Sequence, residues 1–316
     1  MKNIAGIVSA FLPAIAFCAA LPAEAESAAT VVKVMTYNIR CAKGDRNSPD
    51  NNWPSRREDL ARLVEKENPD VAGFQEVEPG QRKWLAERLP GYVFLGDSRN
   101  ADRKSGEASP VAFRRDRFKV LGSGTFWLSE TPQKAGSKGW DAACPRICTY
   151  AILRDSLSGA TFAFANTHTD HMGTVAREKG MLLIVEKMKK FGTGNIVFVG
   201  DHNCLETEKP ARAVSRLLDN AMYVSETPPE GPWRTFNFWK WRDVELSSRE
   251  AMAASAEKSN IPGHASDMKR IDYIYVSPGT RVLSYATAGD GRPGGKLYPS
   301  DHFPVVAKVV FKNERK

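Results

Sequence analysis

The chain has 316 residues, a formal net charge of +8, 42% hydrophobic residues and 26% charged residues. Those proportions exclude a disordered polyelectrolyte, a collagen-like chain and a multi-span membrane protein. The length allows one large α/β domain or two modest ones, and the basic balance suits a polyanionic partner without requiring one.

Residues 4–21, IAGIVSAFLPAIAFCAAL, carry no charge; Lys2 precedes them and Ala23-Glu24-Ala25 follows. A positive start, an apolar run and a small-x-small site are the features of a secretory signal peptide. A run of 18 residues would also just span a bilayer. Pro13 and the Ala-x-Ala site favour cleavage after Ala25 over a retained anchor, and Phe17 before Cys18 argues against a lipoprotein. The sequence therefore predicts a signal peptide at 1–25 and one domain at 26–316, periplasmic or secreted, monomeric and without a membrane span. Lys2 and Glu24 leave together, so the charge stays +8. In an exported chain Cys41, Cys144, Cys148 and Cys204 can oxidise. A small loop disulfide between Cys144 and Cys148 and free buried thiols are both open readings. No Cys/His spacing reads as a zinc site.

Beyond the leader, short apolar strands alternate with helices. VVKVMTYN (31–38) reads as a buried strand. Ser55 to Glu58 reads as a capping box for a helix with Leu60, Leu63 and Val64 on one face, stopped by Pro69. A strand at 71–76, a short helix at 81–89 and strands at 91–96, 109–114 and 118–128 follow. A Gly/Pro/Ser-rich loop covers 129–143, then strands at 147–154 and 161–168 and an amphipathic helix at 175–190. A strand at 195–201 and a helix at 211–219 precede a polar, irregular stretch at 225–268, with an Ala-rich, helix-compatible piece at 251–256. Strands at 270–277, 281–287 and 303–311 close the chain. No linker and no fixed-period repeat appears, so two stacked sheets with outer helices fit best.

The chemistry lies at the strand ends. Six apolar strands finish or begin in a metal- or phosphate-binding type: Asn38, Glu76, His168 with Asp170, Asp201 with Asn203, Asp272, and Asp301 with His302. One polar strand end means nothing, but six carrying carboxylates, amides and imidazoles would line one cleft if they converged. Phosphate ester hydrolysis needs such a set. A hard divalent cation takes oxygen ligands, which Glu76, Asn38 and Asp301 can supply. A carboxylate or imidazole must deprotonate water, and neutral donors and His must hold the phosphoryl oxygens.

At these residues the sequence resembles the endonuclease/exonuclease/phosphatase superfamily. The matching pieces are TYNIR (36–40), FQE (74–76), NTHTDH (166–171), GDHN (200–203), RIDYIYV (270–276) and SDHFPV (300–305), in the family's order. The resemblance implies an α/β fold, a four-layer α/β/β/α sandwich of deoxyribonuclease I type, with a Mg2+- or Mn2+-dependent site between the sheet edges. It implies metal-end residues Asn38, Glu76 and Asp301, with Asn38 also toward substrate. It implies catalytic roles for His168, Asp201, Asn203, Asp272 and His302, with the proton-accepting role open between Asp201 and His302. Glu107 and Arg146 look similar to a deoxyribonuclease I Glu and Arg near the scissile phosphate. The Asn-Ile-Arg tripeptide is also nearer deoxyribonuclease I than the abasic-site enzymes.

His202 departs from the family, which has Phe or Leu there, and reads as a packing residue. His171 and His264 read as surface or loop histidines, Arg114, Arg115 and Arg117 as a solvated basic turn, and Trp127 and Trp140 as packing anchors. The segment from Phe126 to Tyr150 resembles a bacterial subfamily and is expected to cover the cleft. The expected function is an exported metal-dependent phosphoesterase acting on a phosphodiester, nucleic acid among the candidates, or on a phosphomonoester. The competing classes are a non-catalytic binding module and a toxin-type subunit on the same fold.

Overall fold

Along the strand Val31–Asn38 the side chains divide by alternation: Val32 and Val34 join one buried cluster, Met35 and Tyr37 another. A strand buried on both faces belongs between layers, and the computed structural model shows which. It describes residues 31–239, 270–289 and 298–311. The elements are β1 (Val31–Asn38), α1 (Trp53–Glu67), β2 (Val71–Gln75), α2 (Pro79–Arg88), β3 (Tyr92–Leu95), β4 (Val111–Arg114), β5 (Phe118–Trp127) and β6 (Ile147–Asp155). They continue as β7 (Thr161–His168), α3 (Thr174–Lys190), β8 (Ile196–Asp201), α4 (Lys209–Ser215), β9 (Asp219–Asn220), β10 (Asp272–Val276), β11 (Arg281–Thr287) and β12 (Val305–Val310).

Two six-stranded mixed sheets result, in the orders β11-β12-β1-β2-β4-β3 and β5-β6-β7-β8-β10-β9. Val34, Val71 and Val305 of the first sheet meet Phe164, Val199 and Ile274 of the second in the central core. Leu60, Leu63 and Val64 of α1 and Leu85 of α2 cover the outer face of the first sheet through Met35, Tyr37 and Phe74. Met181, Ile184 and Met188 of α3 and Val214 of α4 cover the second through Ala165, Phe198 and Tyr275. The fold is therefore the four-layer α/β/β/α sandwich expected from the sequence.

A polar bridge crosses the central core. Asn166 on β7 donates through Nδ2 to the carbonyls of Phe74 and Pro110, at 2.8 and 2.9 Å, and its Oδ1 accepts from Gln75 Nε2 at 2.7 Å. Gly73 makes room for it, since a Cβ there would lie 2.5 Å from Asn166 Cγ. Buried amides satisfied this way fix the register of the two sheets.

Some local expectations need correction. Helix α1 begins before Ser55: Asn52 is its N-cap, accepting from the Ser55 amide at 3.0 Å, and Ser55 lies inside the first turn. Helix α4 is displaced to Lys209–Ser215, with Pro210 in its first turn. The turn expected to be solvated and basic is partly an internal clip. Arg117 pairs with Asp155 at 2.8 Å and Asp70 at 2.9 Å, joining the sheets at the end remote from Glu76. Cys144 and Cys148 are both free thiols, so the loop disulfide does not form in this structure. The Ala-rich piece at 251–256 and His264 lie outside the described residues.

Candidate active site

Strand direction gathers the polar ends. β1 and β2 pair in parallel, as do β7 and β8, so Asn38, Glu76, His168 and Asp201 reach one edge at carboxyl ends. β10 and β12 run antiparallel to β8 and β1, so Asp272, Asp301 and His302 reach the same edge at amino ends. Gly200 permits a close approach of β8 to β7, because a Cβ there would lie 2.1 Å from the Thr167 carbonyl. Arg40, Glu76 and Asn203 sit in left-handed backbone at φ of 58°, 60° and 47°. Such conformations disfavour L-residues by roughly 1–2 kcal/mol each and cluster where function constrains the chain.

The side chains form one connected network across the two sheets. Asn38 Nδ2 donates to Glu76 Oε1 at 3.0 Å and to Asp201 Oδ2 at 2.9 Å. Glu76 Oε2 accepts from the Cys41 amide at 2.9 Å. Asp201 Oδ1 accepts from the Asn203 amide at 2.9 Å, and Asn203 Nδ2 lies 2.8 Å from His168 Nε2. His302 Nδ1 lies 2.8 Å from Asp272 Oδ2, while its Nε2 lies 3.7 Å from Asp201 Oδ2. Behind the site, Arg56 donates to the carbonyls of Ile39, Arg40 and Pro299, and Ser300 Oγ donates to the Asn38 carbonyl. These bonds lock the loop after Asn38 to the loop that carries Asp301.

The electrostatics separate the groups. Burial pushes the Glu76 carboxyl up, but His168, the Cys41 amide, Asn38 and Arg40 hold it at about 2. Burial and then the Asp272 charge raise Asp201 to about 7. Burial disfavours a charged His302, yet Asp272, Asp201 and Asp301 raise it to about 10. Burial and then Arg146 push His168 well below its ordinary 6.5. A carboxyl raised toward neutrality beside an imidazolium is the divergence that lets one group accept a proton and the other donate.

A divalent cation fits at the Glu76 end. Asp301 is buried, and burial raises its carboxyl, as does the nearby charge of Glu76. Arg40 Nε stands 3.6 Å from Asp301 Oδ2 but is engaged by Asp45 at 2.9 Å. Glu76, half-buried, and Asp301, buried, both line the cleft at this end and offer the carboxylate oxygens that a hard cation takes. The Asn38 side-chain oxygen accepts the Arg40 amide at 3.0 Å, so Asn38 acts here chiefly as a bridge between Glu76 and Asp201. Asp201, Asp272 and His302 also lie close enough for a shared ion, but His302 Nδ1 is already taken by Asp272. Cys144, Asp170 and His171 form another close group. There the Asp170 carboxylate is filled by the amides of Ala143, Met172 and Gly173, and Arg146 approaches both Asp170 and His171. A guanidinium in that position opposes a metal ion.

The cleft above has a volume of about 480 Å3 and is lined by Glu76, His168, Asp201, Asn203, Asp301 and His302, with Arg40, Arg99, Glu107, Arg146, His171 and Phe236 around them. Glu107 pairs with Arg99 at 2.8 Å, and burial raises its carboxyl. Asp272 and Asn38 are fully buried behind this surface. Arg99, Arg40 and His171 were not assigned to the cleft from the sequence. Arg40 had a signal in its position two residues after Asn38; Arg99 and His171 had none. His202 is buried among Phe198, Tyr273 and Tyr275, with ring centroids 4.7 to 5.7 Å away. Trp127 is buried, and Trp140 lies under Lys179. The 129–143 loop is pinned: Asp141 accepts the Val175 and Ala176 amides at the start of α3.

Residues 35–302 match the sequence model of the Endonuclease/Exonuclease/phosphatase family. The chain belongs to this family. It is similar to an endonuclease/exonuclease/phosphatase family protein from Bacteroides thetaiotaomicron, at 33% identity and a TM-score of 0.77, covering 90% of this chain and 98% of that one. It is also similar to a B. thetaiotaomicron mannosyl-6-phosphatase, at 33% identity and a TM-score of 0.76, covering 89% of this chain and 100% of that one. An uncharacterised protein of Acanthamoeba polyphaga mimivirus is 27% identical over 160 residues, 48% of this chain and 59% of that relative, so the match spans little more than half its length.

Proposed function

We propose that the protein is an exported, divalent-cation-dependent phosphoester hydrolase whose substrate is a phosphomonoester of a carbohydrate. The observation that carries the reading is the network joining Glu76, Asn38, Asp201, Asn203 and His168 in one cleft, with His302 held by Asp272. Glu76 and Asp301 would hold a Mg2+ or Mn2+ ion, which when bound neutralises phosphoryl charge and stabilises the leaving oxygen. Asn203 and His168 offer the phosphoryl group neutral contacts, and Arg40, Arg99 and Arg146 offer it positive charge. Water attacks phosphorus in line with the ester oxygen. Its oxygen bonds to phosphorus, one proton passes to Asp201, and the bond from phosphorus to the sugar oxygen breaks as that oxygen takes a proton from the His302 imidazolium and leaves as the alcohol. His302 remains oriented by Asp272 and faces the phosphoryl oxygens as charge builds.

The preference for a sugar monoester is supported by the 33% identity to a mannosyl-6-phosphatase over the whole of that protein. It is supported also by Glu107, a partly buried acceptor for a hydroxyl among the arginines. The net charge of +8 keeps nucleic acid as the other arm of the test. Hexose 6-phosphates, nitrophenyl phosphate esters, inositol phosphates, sphingomyelin, DNA and RNA are incubated with the protein in Mg2+, Mn2+ or EDTA. Metal-dependent phosphate release from the hexose phosphates supports the reading. Strand cleavage without phosphate release would replace it with a nuclease, and inertness toward all substrates with a binding module.

Export rests on the leader at 1–25, and no helix among the described residues is long and apolar enough to cross a membrane. The processed amino terminus should begin near Glu26, in the periplasm or medium. Met1 on a membrane-bound form would establish an anchor instead.

A further inference from the structure

A second cavity, of about 370 Å3, lies on the flank of the second sheet, where the edge strand β5 meets the end of α3. Among the described residues, three cations (Arg103, Lys187, Lys190) and three aromatic rings (Phe126, Tyr150, Phe191) line it, and no acidic residue does. Two of the cations have partners: Arg103 pairs with Asp97 at 2.9 Å and Lys190 with Glu186 at 2.6 Å. Lys187 makes no ion pair among the described residues. It is half-buried, with its Nζ 5.0 Å from the Phe126 ring centroid. Gly124 shapes the floor: a Cβ there would lie 3.0 Å from the Tyr150 ring. Without one, Tyr150 lies across β5 and stacks on Phe191 with centroids 4.7 Å apart.

A partly desolvated ammonium without a carboxylate is stabilised by an anion, and partly exposed rings by a flat group laid against them. A neutral sugar would leave Lys187 unmatched, and an acidic peptide would leave the rings uncovered. One ligand of this size combines a negative charge with a planar π face. We propose that this cavity binds a free mononucleotide, its base against Tyr150 and Phe191 and its phosphate at Lys187, flanked by Arg103 and Lys190.

The test is an equilibrium titration of AMP into the full chain in EDTA, read as binding and not turnover, so its outcome is independent of the phosphoesterase reading. Saturable binding is expected. Lys187→Glu and Phe191→Ala should each weaken it about tenfold or more, with circular dichroism unchanged in both and the thermal melt unchanged in Lys187→Glu. Arg146→Ala, in the catalytic cleft, should leave it intact. Absence of saturable AMP binding would overturn the proposal. So would binding that survives Lys187→Glu but is lost in Arg146→Ala, which would place AMP in the cleft. Mannose 6-phosphate bound as tightly as AMP, with the same dependence on Lys187, would overturn the assignment to a nucleotide.

Discussion

The Nδ1 of His302 lies 2.8 Å from the Oδ2 of Asp272, and the contact joins the two sheets: Asp272 opens β10 of the second, and His302 leads into β12 of the first. Asn38 and Asp201 make the same crossing at 2.9 Å. The site therefore exists only while the central core holds the sheets in register, and its polar groups are part of the packing as well as of the chemistry.

That double role gives the first prediction. Asp272→Asn keeps the shape but removes the charge that orients and protonates His302. kcat should fall roughly 10- to 100-fold, as for other partners that orient a reacting group. The pH profile should change with it. An unchanged rate and profile would mean that Asp272 serves packing alone. His302→Ala is a poorer probe, because it leaves the Asp272 carboxylate buried without its partner, and it should lower the melting temperature as well as the rate.

His168 is separable. It contacts Asn203 and approaches Asp201 at 3.5 Å, while its Nδ1 is buried with no hydrogen-bond partner among the described residues. His168→Ala should reduce kcat by about 10²–10⁴, with a smaller effect on the melt than His302→Ala. Steady-state rates and thermal melts on the two variants check this ordering.

The metal end is tested by Glu76→Gln. The cation loses a charged ligand, so the Mg2+ concentration for half-maximal rate should rise well above that of the parent, and direct binding of Mn2+ followed by its paramagnetic signal should weaken in parallel. A Mn2+ affinity equal to the parent's would remove Glu76 from the metal site.

Acid stability isolates His202. Burial holds its pKa at about 3, so the folded protein keeps it neutral while the unfolded chain takes a proton below about 6.5. A base depressed in the folded state lowers stability as pH falls from about 6.5 toward 3. Neither of its ring nitrogens has a hydrogen-bond partner among the described residues. His202→Phe should therefore stay active and gain stability on acidification, approaching about 3 kcal/mol at pH 4 relative to the parent. Denaturant unfolding at pH 7 and pH 4 measures the difference. Loss of activity in this variant would contradict the view that His202 only packs behind Asp201.

How much of this was legible varies by residue. The strand-end residues could be read because an apolar run that stops at a carboxylate, amide or imidazole marks a strand end, and the resemblance to the family implied that those ends converge. Glu76, His168, Asp201, Asn203, Asp301 and His302 all meet in the cleft, with Asn38 and Asp272 one layer behind. Arg99 and His171 could not, because tertiary contacts alone place them: Trp127 Nε1 fixes the Arg99 carbonyl at 2.7 Å, and Arg146 meets the His171 ring. The start of α1 was readable but misread. Pro54 is tolerated only in a first turn, which selects Asn52 over Ser55 as the cap. Arg117 looked like a surface charge because its partners Asp70 and Asp155 are 47 and 38 residues away in sequence, beyond any local pattern.

The most direct test of the central claim is phosphate release from mannose 6-phosphate with Mg2+ by the parent and by Asp201→Asn, each repeated in excess EDTA. The account predicts steady release by the parent, abolished by EDTA, and a rate lower by about 10²–10⁴ in Asp201→Asn, where the group that accepts the water proton is gone. Full release in EDTA, or an undiminished rate in Asp201→Asn, would contradict it.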